Sequence, residues 1–223
     1  MTAHPPGPAA APRRVLATRN AQWAKGVARW LGRGGVRPNA VSIASVVLAL
    51  GAGAAFSLVP ELAGGGRAAL LLAAAASIQL RLLCNLLDGM LAVEEGFKSK
   101  TGEIYNELPD RVADVFILVG AGYSVRDLAF GATLGWAAAV LALFTAYVRV
   151  LGGSLGVTQH FIGPMAKQHR MFTLTVATLL AAAEALLGMP PRAIRIGLAV
   201  IVAGSIVTTF RRARRVAAEV GAR

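Results

Sequence analysis

Long apolar runs separated by short polar breaks occupy the chain from about residue 40 to about residue 210. Each run is close to the about 20 residues that a helix needs to cross the hydrocarbon core of a bilayer. Ala, Leu, Val and Gly dominate the runs, which lack the two-residue alternation typical of membrane β-barrel strands. The pattern predicts an all-α protein with six transmembrane helices, at about 40–59, 68–92, 103–124, 128–150, 168–188 and 193–210.

The segments outside these runs have patterns of their own. Residues 1–14 are rich in Pro and Ala, which predicts a disordered cytoplasmic tail. In residues 15–35, two tryptophans and other apolar side chains recur at helical spacing among basic residues, which predicts an amphipathic helix lying in the membrane interface. The remainder divides into a six-helix transmembrane domain, 36–215, and a cytoplasmic tail, 216–223.

Composition supports a membrane protein and excludes several other classes. Hydrophobic residues make up 56% of the 223 residues and charged residues only 15%, whereas a soluble chain carries about a quarter charged residues. The single cysteine, Cys84, cannot form an internal disulfide. The net charge is +12, and in a membrane protein an excess of Lys and Arg in the cytoplasmic loops accounts for such a charge. The sequence also has no recognised nucleic-acid-binding motif. We therefore expect no nucleic-acid partner.

Basic residues are distributed unevenly between the two sides of the predicted bundle. They are concentrated in the N-terminal segment, at the C-terminal end, and in the breaks after the second and fourth runs. Cytoplasmic loops carry such an excess of Lys and Arg. The distribution predicts an integral protein of a bacterial-type inner (plasma) membrane, surrounded by membrane lipids, with both termini cytoplasmic. An even number of spans agrees with this orientation.

Acidic residues are clustered where the second run ends and the third begins. Seven of the eleven lie between Asp88 and Asp114. Carboxylates at membrane depth are costly unless they are paired or bind cations, so these residues are candidates for function.

The spacing of the polar residues predicts that their oxygen atoms converge. Asn85 and Asp88 share a face of the second helix, and Asn106, Asp110 and Asp114 form a stripe along the third. Because the two helices run antiparallel, we expect Asp88 near the level of Asn106 and Asn85 near that of Asp110, close to the cytoplasmic surface. Gathered oxygen donors suit Mg²⁺, Mn²⁺ or Ca²⁺ rather than zinc.

Small residues accompany the acids. Gly89 and Ala92 would leave space for a bulky phosphate-bearing ligand beside a metal. Helix packing or the punctuation of helices explains Gly89 and Gly102 equally well if each is taken alone. Their position beside the acids favours a binding role.

This order of residues resembles the CDP-alcohol phosphotransferase (CDP-alcohol phosphatidyltransferase) family, whose pattern is D-x2-D-G-x2-A-R-x8-G-x3-D-x3-D. The chain keeps that spacing over 26 residues and reads Asn85-x2-Asp88-Gly89-x2-Ala92-x9-Gly102-x3-Asn106-x3-Asp110. The six-span layout and the amphipathic helix also fit, so the resemblance covers most of the chain. It implies that the domain 36–215 is catalytic and that the protein is a homodimer.

The resemblance also implies a reaction. A substituted phosphate, most simply phosphatidyl, passes from CDP-diacylglycerol or a related CDP-linked donor to a small or lipid alcohol, with release of CMP. The resemblance implies two divalent metal ions, Mg²⁺ or Mn²⁺, and with the departures from the family pattern described below we expect one or two ions per protomer. The implied base is Asp110, the last aspartate of the motif, and the implied donor-binding residues are Asp88, Gly89, Ala92 and Gly102.

Three positions depart from the family pattern. Asn85 and Asn106 replace the first and third aspartates, and Val93 replaces the arginine. Two formal negative charges are lost, although an asparagine carbonyl can still bind a metal weakly. Nearby acids could compensate, and we expect Asp114 to do so more than Glu107. The full set of expected metal ligands is Asp88, Asp110, Asp114, Asn85, Asn106 and Glu107.

Basic residues at the cytoplasmic ends of the fourth and fifth runs are candidates for binding a phosphate-bearing acceptor: Arg149, Lys167 and Arg170. The positive charge of cytoplasmic loops explains each of them at least equally well. Other functions also stay open. Intramembrane carboxylates serve cation- or proton-coupled transporters too, although transporter sites lie near the midplane between repeats. A catalytically inactive relative or a membrane scaffold are further alternatives.

Overall fold

The structure, a computed structural model, describes residues 22–94 and 102–222, and every regular element in this part of the chain is a helix. The prediction of an all-α fold is therefore confirmed. A short 3-10 turn, Val59–Glu61, extends the second helix. The α-helices are α1 (Gln22–Arg33), α2 (Pro38–Leu58), α3 (Gly64–Glu94), α4 (Gly102–Tyr123), α5 (Gly131–Ser154), α6 (Lys167–Leu186) and α7 (Ala193–Gly221).

Each of the six predicted apolar runs coincides with one long helix, α2 to α7. Among the described helices, four are long and apolar enough to cross a membrane: Pro38–Glu61, Gly64–Ala92, Gly131–Ser154 and Ala193–Gly221. The chain is therefore an integral membrane protein. The helices α4 and α6 carry several charged residues, and their crossing of the membrane stays a prediction.

The first helix, α1, covers the described part of the predicted interfacial helix. Residues 1–21, which include the predicted tail, lie outside the described residues. Ala24 and Ala28 are fully buried where α1 packs against α3, while Trp23 and Trp30 are 56% and 72% exposed. Large aromatic side chains facing away from the bundle are typical of a helix at a membrane interface. The location of α1 in that interface stays a prediction.

The last helix extends beyond its apolar run. The run ends near residue 210, but the following Arg, Ala and Glu residues favour a helix, and α7 ends at Gly221. Most of the predicted tail, 216–223, is therefore helical, and Val216 is buried. The boundary of the transmembrane domain at residue 215 and the cytoplasmic position of the tail stay predictions.

Glycine residues let three of the helices approach to backbone contact. A Cβ atom added to Gly120 of α4 would lie 2.7 Å from the Cα atom of Gly53 of α2. Gly122 of α4 and Gly135 of α5 meet in the same way, with 2.7 Å from an added Cβ atom to the opposite Cα atom. Small residues at helix interfaces permit such close packing in membranes. These contacts fix the depth of α4 and of its polar side chains.

The consecutive helices α3 and α4 pack mainly against other helices. The main neighbours of α3 are α2 and α6, and those of α4 are α2 and α5, while α7 packs mainly against α5 and α6. The polar end of α3 therefore faces the polar start of α4 across a space that α5, α6 and α7 border. This space holds the candidate site.

Candidate active site

A cavity of about 450 Å³ lies at the end of the bundle where α3 ends and α4 begins. We call it the polar cavity; its walls come from α1, from α3 to α7, and from the loop between α5 and α6. Two acidic and five basic side chains line it, so it suits an anionic ligand such as phosphate. They are Glu107, Asp110, Arg111, Arg149, Lys167, Arg170 and Arg212.

Asp110 of α4 is the acid with the most partners in the polar cavity. Its Oδ1 atom accepts hydrogen bonds from Asn85 Nδ2 at 2.8 Å and from Arg81 Nη2 at 3.3 Å. Its Oδ2 atom pairs with Lys167 Nζ, and Arg111 Nη2 lies 3.8 Å from it. The structure thus brings Asn85 and Asp110 together, as the antiparallel arrangement of their helices predicts.

Asp114 lies one turn deeper on the same face of α4, where it is 1% exposed. Its Oδ1 atom accepts a hydrogen bond from Arg81 Nη2 at 2.8 Å, and its Oδ2 atom accepts one from Arg170 Nη2 at 3.0 Å. Arg170 also donates from Nη1 to Thr145 Oγ1 and to the carbonyl of Met165, each at 3.1 Å. A metal ion at Asp114 would have to displace a buried guanidinium group.

Arg81 is the first of two site residues that reasoning from the sequence missed. It is fully buried on α3, four residues before Asn85, and it contacts both Asp110 and Asp114. The sequence did contain an indication of its role, because Arg81 is an arginine inside an apolar run. A charged side chain in such a run usually faces the interior of the bundle and pairs with another group there. Arg212 of α7 was also missed; its Nη1 atom donates to the carbonyl of Thr145 at 2.7 Å. Nothing in the sequence separates Arg212 from the neighbouring C-terminal arginines.

Asp88 has a different environment from the other two aspartates. It is 5% exposed, and its Oδ2 atom accepts a hydrogen bond from Ser42 Oγ of α2 at 2.7 Å. Its Oδ1 atom is buried and has no hydrogen-bond partner in the described part of the chain. The carboxylate interacts electrostatically with Asp110 and Lys167. Asp88 is thus a buried acid one turn beyond Asn85 on α3, it is not part of the cavity wall, and one of its oxygens is free within the described part of the chain.

Glu107 is engaged with basic side chains at the edge of the cavity. Its Oε1 atom accepts a hydrogen bond from Arg149 Nη2 at 2.6 Å, and Arg111 Nη2 lies 3.6 Å from its Oε2 atom. Arg149 also donates to Gln159 Oε1 at 3.1 Å, and its guanidinium group lies 5.2 Å from the centre of the Phe161 ring. Arg149 is thereby held in the wall of the cavity.

Other residues of the sequence motif lie away from this contact network. Gly89 and Ala92 are half-buried on α3, and neither lines the polar cavity. Gly102 is the first residue of α4. The side chain of Asn106 and that of Val93 lie outside the described part of the structure. Within residues 22–94 and 102–222, no three Asp, Glu, His or Cys side chains form a group that could hold a metal ion.

The overall fold is similar to that of a solved synthase. The crystal structure of Mycobacterium tuberculosis phosphatidylinositol phosphate synthase in complex with manganese and citrate aligns with a TM-score of 0.73 and 19% sequence identity, over 86% of this chain and 88% of that chain. The structure of the same synthase with CDP-DAG bound aligns with a TM-score of 0.72 and 20% identity, over 88% and 94%. This chain shares that fold. No family model and no curated protein matches its sequence.

The apo form of the same synthase aligns with a TM-score of 0.69 and 19% identity, over 84% of this chain and 92% of that chain. The similarity therefore extends over most of both chains. It supports the arrangement of helices that the sequence resemblance implies.

Proposed function

We propose that the protein is a CDP-alcohol phosphotransferase that moves a phosphatidyl group from CDP-diacylglycerol or a related CDP-linked donor to an alcohol and releases CMP. The observation that carries the proposal is the contact between the motif residues Asn85 and Asp110 at the wall of a basic cavity in a membrane protein, with the buried Asp88 one turn beyond Asn85 on α3. The similar synthase has CDP-DAG bound in one structure and manganese in another, which supports this donor and a divalent cofactor.

The surroundings of the polar cavity suit a lipid donor. A second, apolar groove of about 360 Å³ lies between α4 and α5 and shares Glu107, Arg111 and Ala146 with the polar cavity. Leu108 and Tyr147 are among its walls. A donor could place its diphosphate among the basic side chains and an acyl chain in the groove, since apolar surface binds hydrocarbon.

The donor set near the end of α3 suits a hard cation. Asp88 offers a free carboxylate oxygen, and Asn85 and Asn106 could add amide oxygens, which are ligands that Mg²⁺ and Mn²⁺ accept. When bound, such an ion supplies neutralisation of the donor diphosphate and of the charge that develops on the attacked phosphorus. We assign Asp88 as its main ligand. The contacts of Asp114 and Glu107 with arginines make them weaker candidates.

Asp110 is placed to act as the base. In the reaction a bond forms between the acceptor oxygen and phosphorus, the bond from phosphorus to CMP breaks, and the hydroxyl proton passes to the Asp110 carboxylate. Asn85 and Lys167 hold that carboxylate from two sides, which orients it at the cavity wall. Arg149 and Lys167 could bind the phosphate of an acceptor that carries one. Arg170 lies deeper and holds Asp114 and the α5–α6 loop.

The arrangement in the membrane belongs to the same proposal. We place α4 and α6 across the bilayer with the other four long helices. Each of them packs between two helices that are long and apolar enough to span, so it lies at the same depth in the membrane as they do. With six spans and the basic residues inside, both termini and the polar cavity are cytoplasmic, in a bacterial-type plasma membrane. The N-terminal helix lies in the interface, and the active form is a homodimer.

The test of the function is CMP release from CDP-diacylglycerol by the purified protein with Mg²⁺ or Mn²⁺, across a set of alcohol acceptors. We expect release with at least one acceptor and none in EDTA. The matched control is the Asp110→Asn protein, which should release none. Metal or proton flux into proteoliposomes without any CMP release would instead establish the transporter alternative.

A further inference from the structure

The two motif aspartates are held in different ways. Both oxygens of Asp110 face nitrogen donors, whereas one oxygen of Asp88 has no partner. We infer that the site binds one divalent cation per chain, at Asp88, and that the fixed cations Arg81 and Lys167 neutralise Asp110 in place of a second metal ion. The inference deepens the proposed function and rests on it.

The first step concerns the oxygens of Asp110. A carboxylate offers about four lone-pair sites. At Asp110 these face Asn85 Nδ2 at 2.8 Å, Arg81 Nη2 at 3.3 Å and Lys167 Nζ, with Arg111 Nη2 at 3.8 Å. Three of the four groups are cationic. A divalent ion on the same oxygens would be repelled by neighbouring positive charges in a partly buried site.

The second step is that Arg81 cannot easily leave. Its side chain is fully buried, and its Nη2 atom also donates to the backbone carbonyl of Asp110 at 3.2 Å. Arg81 and Arg170 both pair with Asp114, at 2.8 Å and 3.0 Å, so two buried positive charges share one negative charge. Asp110 supplies the second negative charge of this network. A buried charge is costly unless an opposite charge compensates it. The negative charge of Asp110 therefore already compensates the positive charge of Arg81 and is not free to balance a metal ion.

The third step concerns Asp88, which has no ion-pair partner among the described residues. No Lys, Arg or His side chain forms an ion pair with it in the described part of the chain, and the one side-chain hydrogen bond that it accepts there comes from the neutral hydroxyl of Ser42. A buried carboxylate oxygen without a partner is costly. Asn85 lies one turn before Asp88 and donates its amide to Asp110, so its carbonyl oxygen is the end that can turn to a cation. An ion at Asp88 would satisfy both groups.

The replacement of two motif acids by Asn85 and Asn106 fits this division. A site with two divalent ions needs several carboxylates to balance four positive charges, whereas a site with one ion beside Asp88 needs fewer carboxylates.

Basic side chains, unlike a metal ion, cannot dissociate from the protein. The five that line the polar cavity can take part in neutralising a diphosphate. Asp110 is then held by Arg81, Asn85 and Lys167 rather than by a metal, and the proton of the incoming hydroxyl group reaches its Oδ2 atom as Lys167 gives up that contact.

The experiment counts bound metal and needs neither donor nor acceptor. The full chain, purified in detergent and stripped with EDTA, is titrated with Mn²⁺ while electron paramagnetic resonance measures free Mn²⁺. We expect one Mn²⁺ per chain. Asp88→Asn should weaken binding by about a hundredfold or more, and Asp110→Asn by less than about tenfold. The exposed Asp127, in the connection between α4 and α5, gives the matched control Asp127→Asn, which should bind like the parent.

Three results would overturn the inference: two Mn²⁺ per chain, none, or equal weakening by Asp88→Asn and Asp110→Asn. The count on the parent protein needs no variant, and circular dichroism with size-exclusion chromatography verifies that each variant is folded. The proposed function is tested separately. CMP release together with two Mn²⁺ ends only the inference, and one Mn²⁺ at Asp88 without CMP release from any acceptor ends only the proposed function.

Discussion

At the scale of single residues, Asp114 holds two buried arginine side chains in place through ion pairs. Its carboxylate lies between Arg81 and Arg170 and is almost completely buried. Removing one partner of a buried ion pair costs about 3–5 kcal/mol, because the other charge is left uncompensated. We therefore expect Asp114→Asn to destabilise the protein by about 3 kcal/mol. Thermal unfolding in detergent, followed by circular dichroism, measures this as a lower Tm.

The control for Asp114 is again Asp127→Asn, which removes the same charge at an exposed position and should unfold like the parent. The sequence by itself predicts another result for Asp114, a higher metal requirement. If Asp114→Asn keeps the parent Tm and needs more Mg²⁺ or Mn²⁺ for activity, Asp114 is a metal ligand and the anchoring role is wrong.

The motif aspartates Asp88 and Asp110 should both be essential for transfer. Each change to asparagine keeps the size of the side chain, so packing is preserved. A general base contributes about 10²–10⁴-fold, and we expect Asp110→Asn to lower kcat by at least about a hundredfold. Asp88→Asn should abolish CMP release through loss of the cation. Near-normal release by either variant, measured on folded protein, would contradict the assignment of the site.

At the scale of helices, the contact between α2 and α4 depends on glycine. An added Cβ atom at Gly53 would lie 2.8 Å from the backbone oxygen of Phe116, which cannot move without shifting α4. We expect Gly53→Ala to cost about 1–3 kcal/mol by forcing the helices apart. Because α4 carries Asp110, CMP release should fall together with the Tm.

Gly51 provides a matched control on the same helix. An added Cβ atom there meets nothing within 4 Å. Alanine is a better helix former than glycine by about 1 kcal/mol, so Gly51→Ala should leave the Tm unchanged or raise it slightly. If both alanine variants unfold alike, close approach at Gly53 does not hold α2 against α4.

At the scale of the whole molecule, the orientation in the membrane can be tested with single cysteines. Cys84 is the only cysteine, so Cys84→Ser gives a background without thiols. In that background we expect Asp127→Cys to react with a membrane-impermeant maleimide on intact spheroplasts. Ala222→Cys should react only after the membrane is opened. Both positions are exposed in the structure and lie at opposite ends of the bundle. Labelling of Ala222→Cys from outside would contradict a cytoplasmic C-terminus.

The helices themselves could be predicted from the sequence because the signal for them is local. Run length and polar breaks place α2 to α7 to within a few residues at most of their ends. The end of α7 was missed, because its final turns are polar. Hydropathy identifies only the apolar part of a helix and does not detect a polar extension beyond the membrane. The motif spacing likewise placed Asn85 beside Asp110, because two antiparallel helices with known faces allow few arrangements.

The sequence by itself determined the class of the protein, the positions of its long helices and the stripe of oxygen-bearing residues, since each depends on residues near one another in the chain. Only the tertiary structure decided which charges meet. Arg81 reaches Asp114 across 33 positions and Arg170 reaches it across 56, and neither pair follows from periodicity. A charge in an apolar run must find a partner, but the rotation and depth of the packed helices select that partner. Those contacts are what separate the anchored Asp114 from Asp88, which keeps a free oxygen.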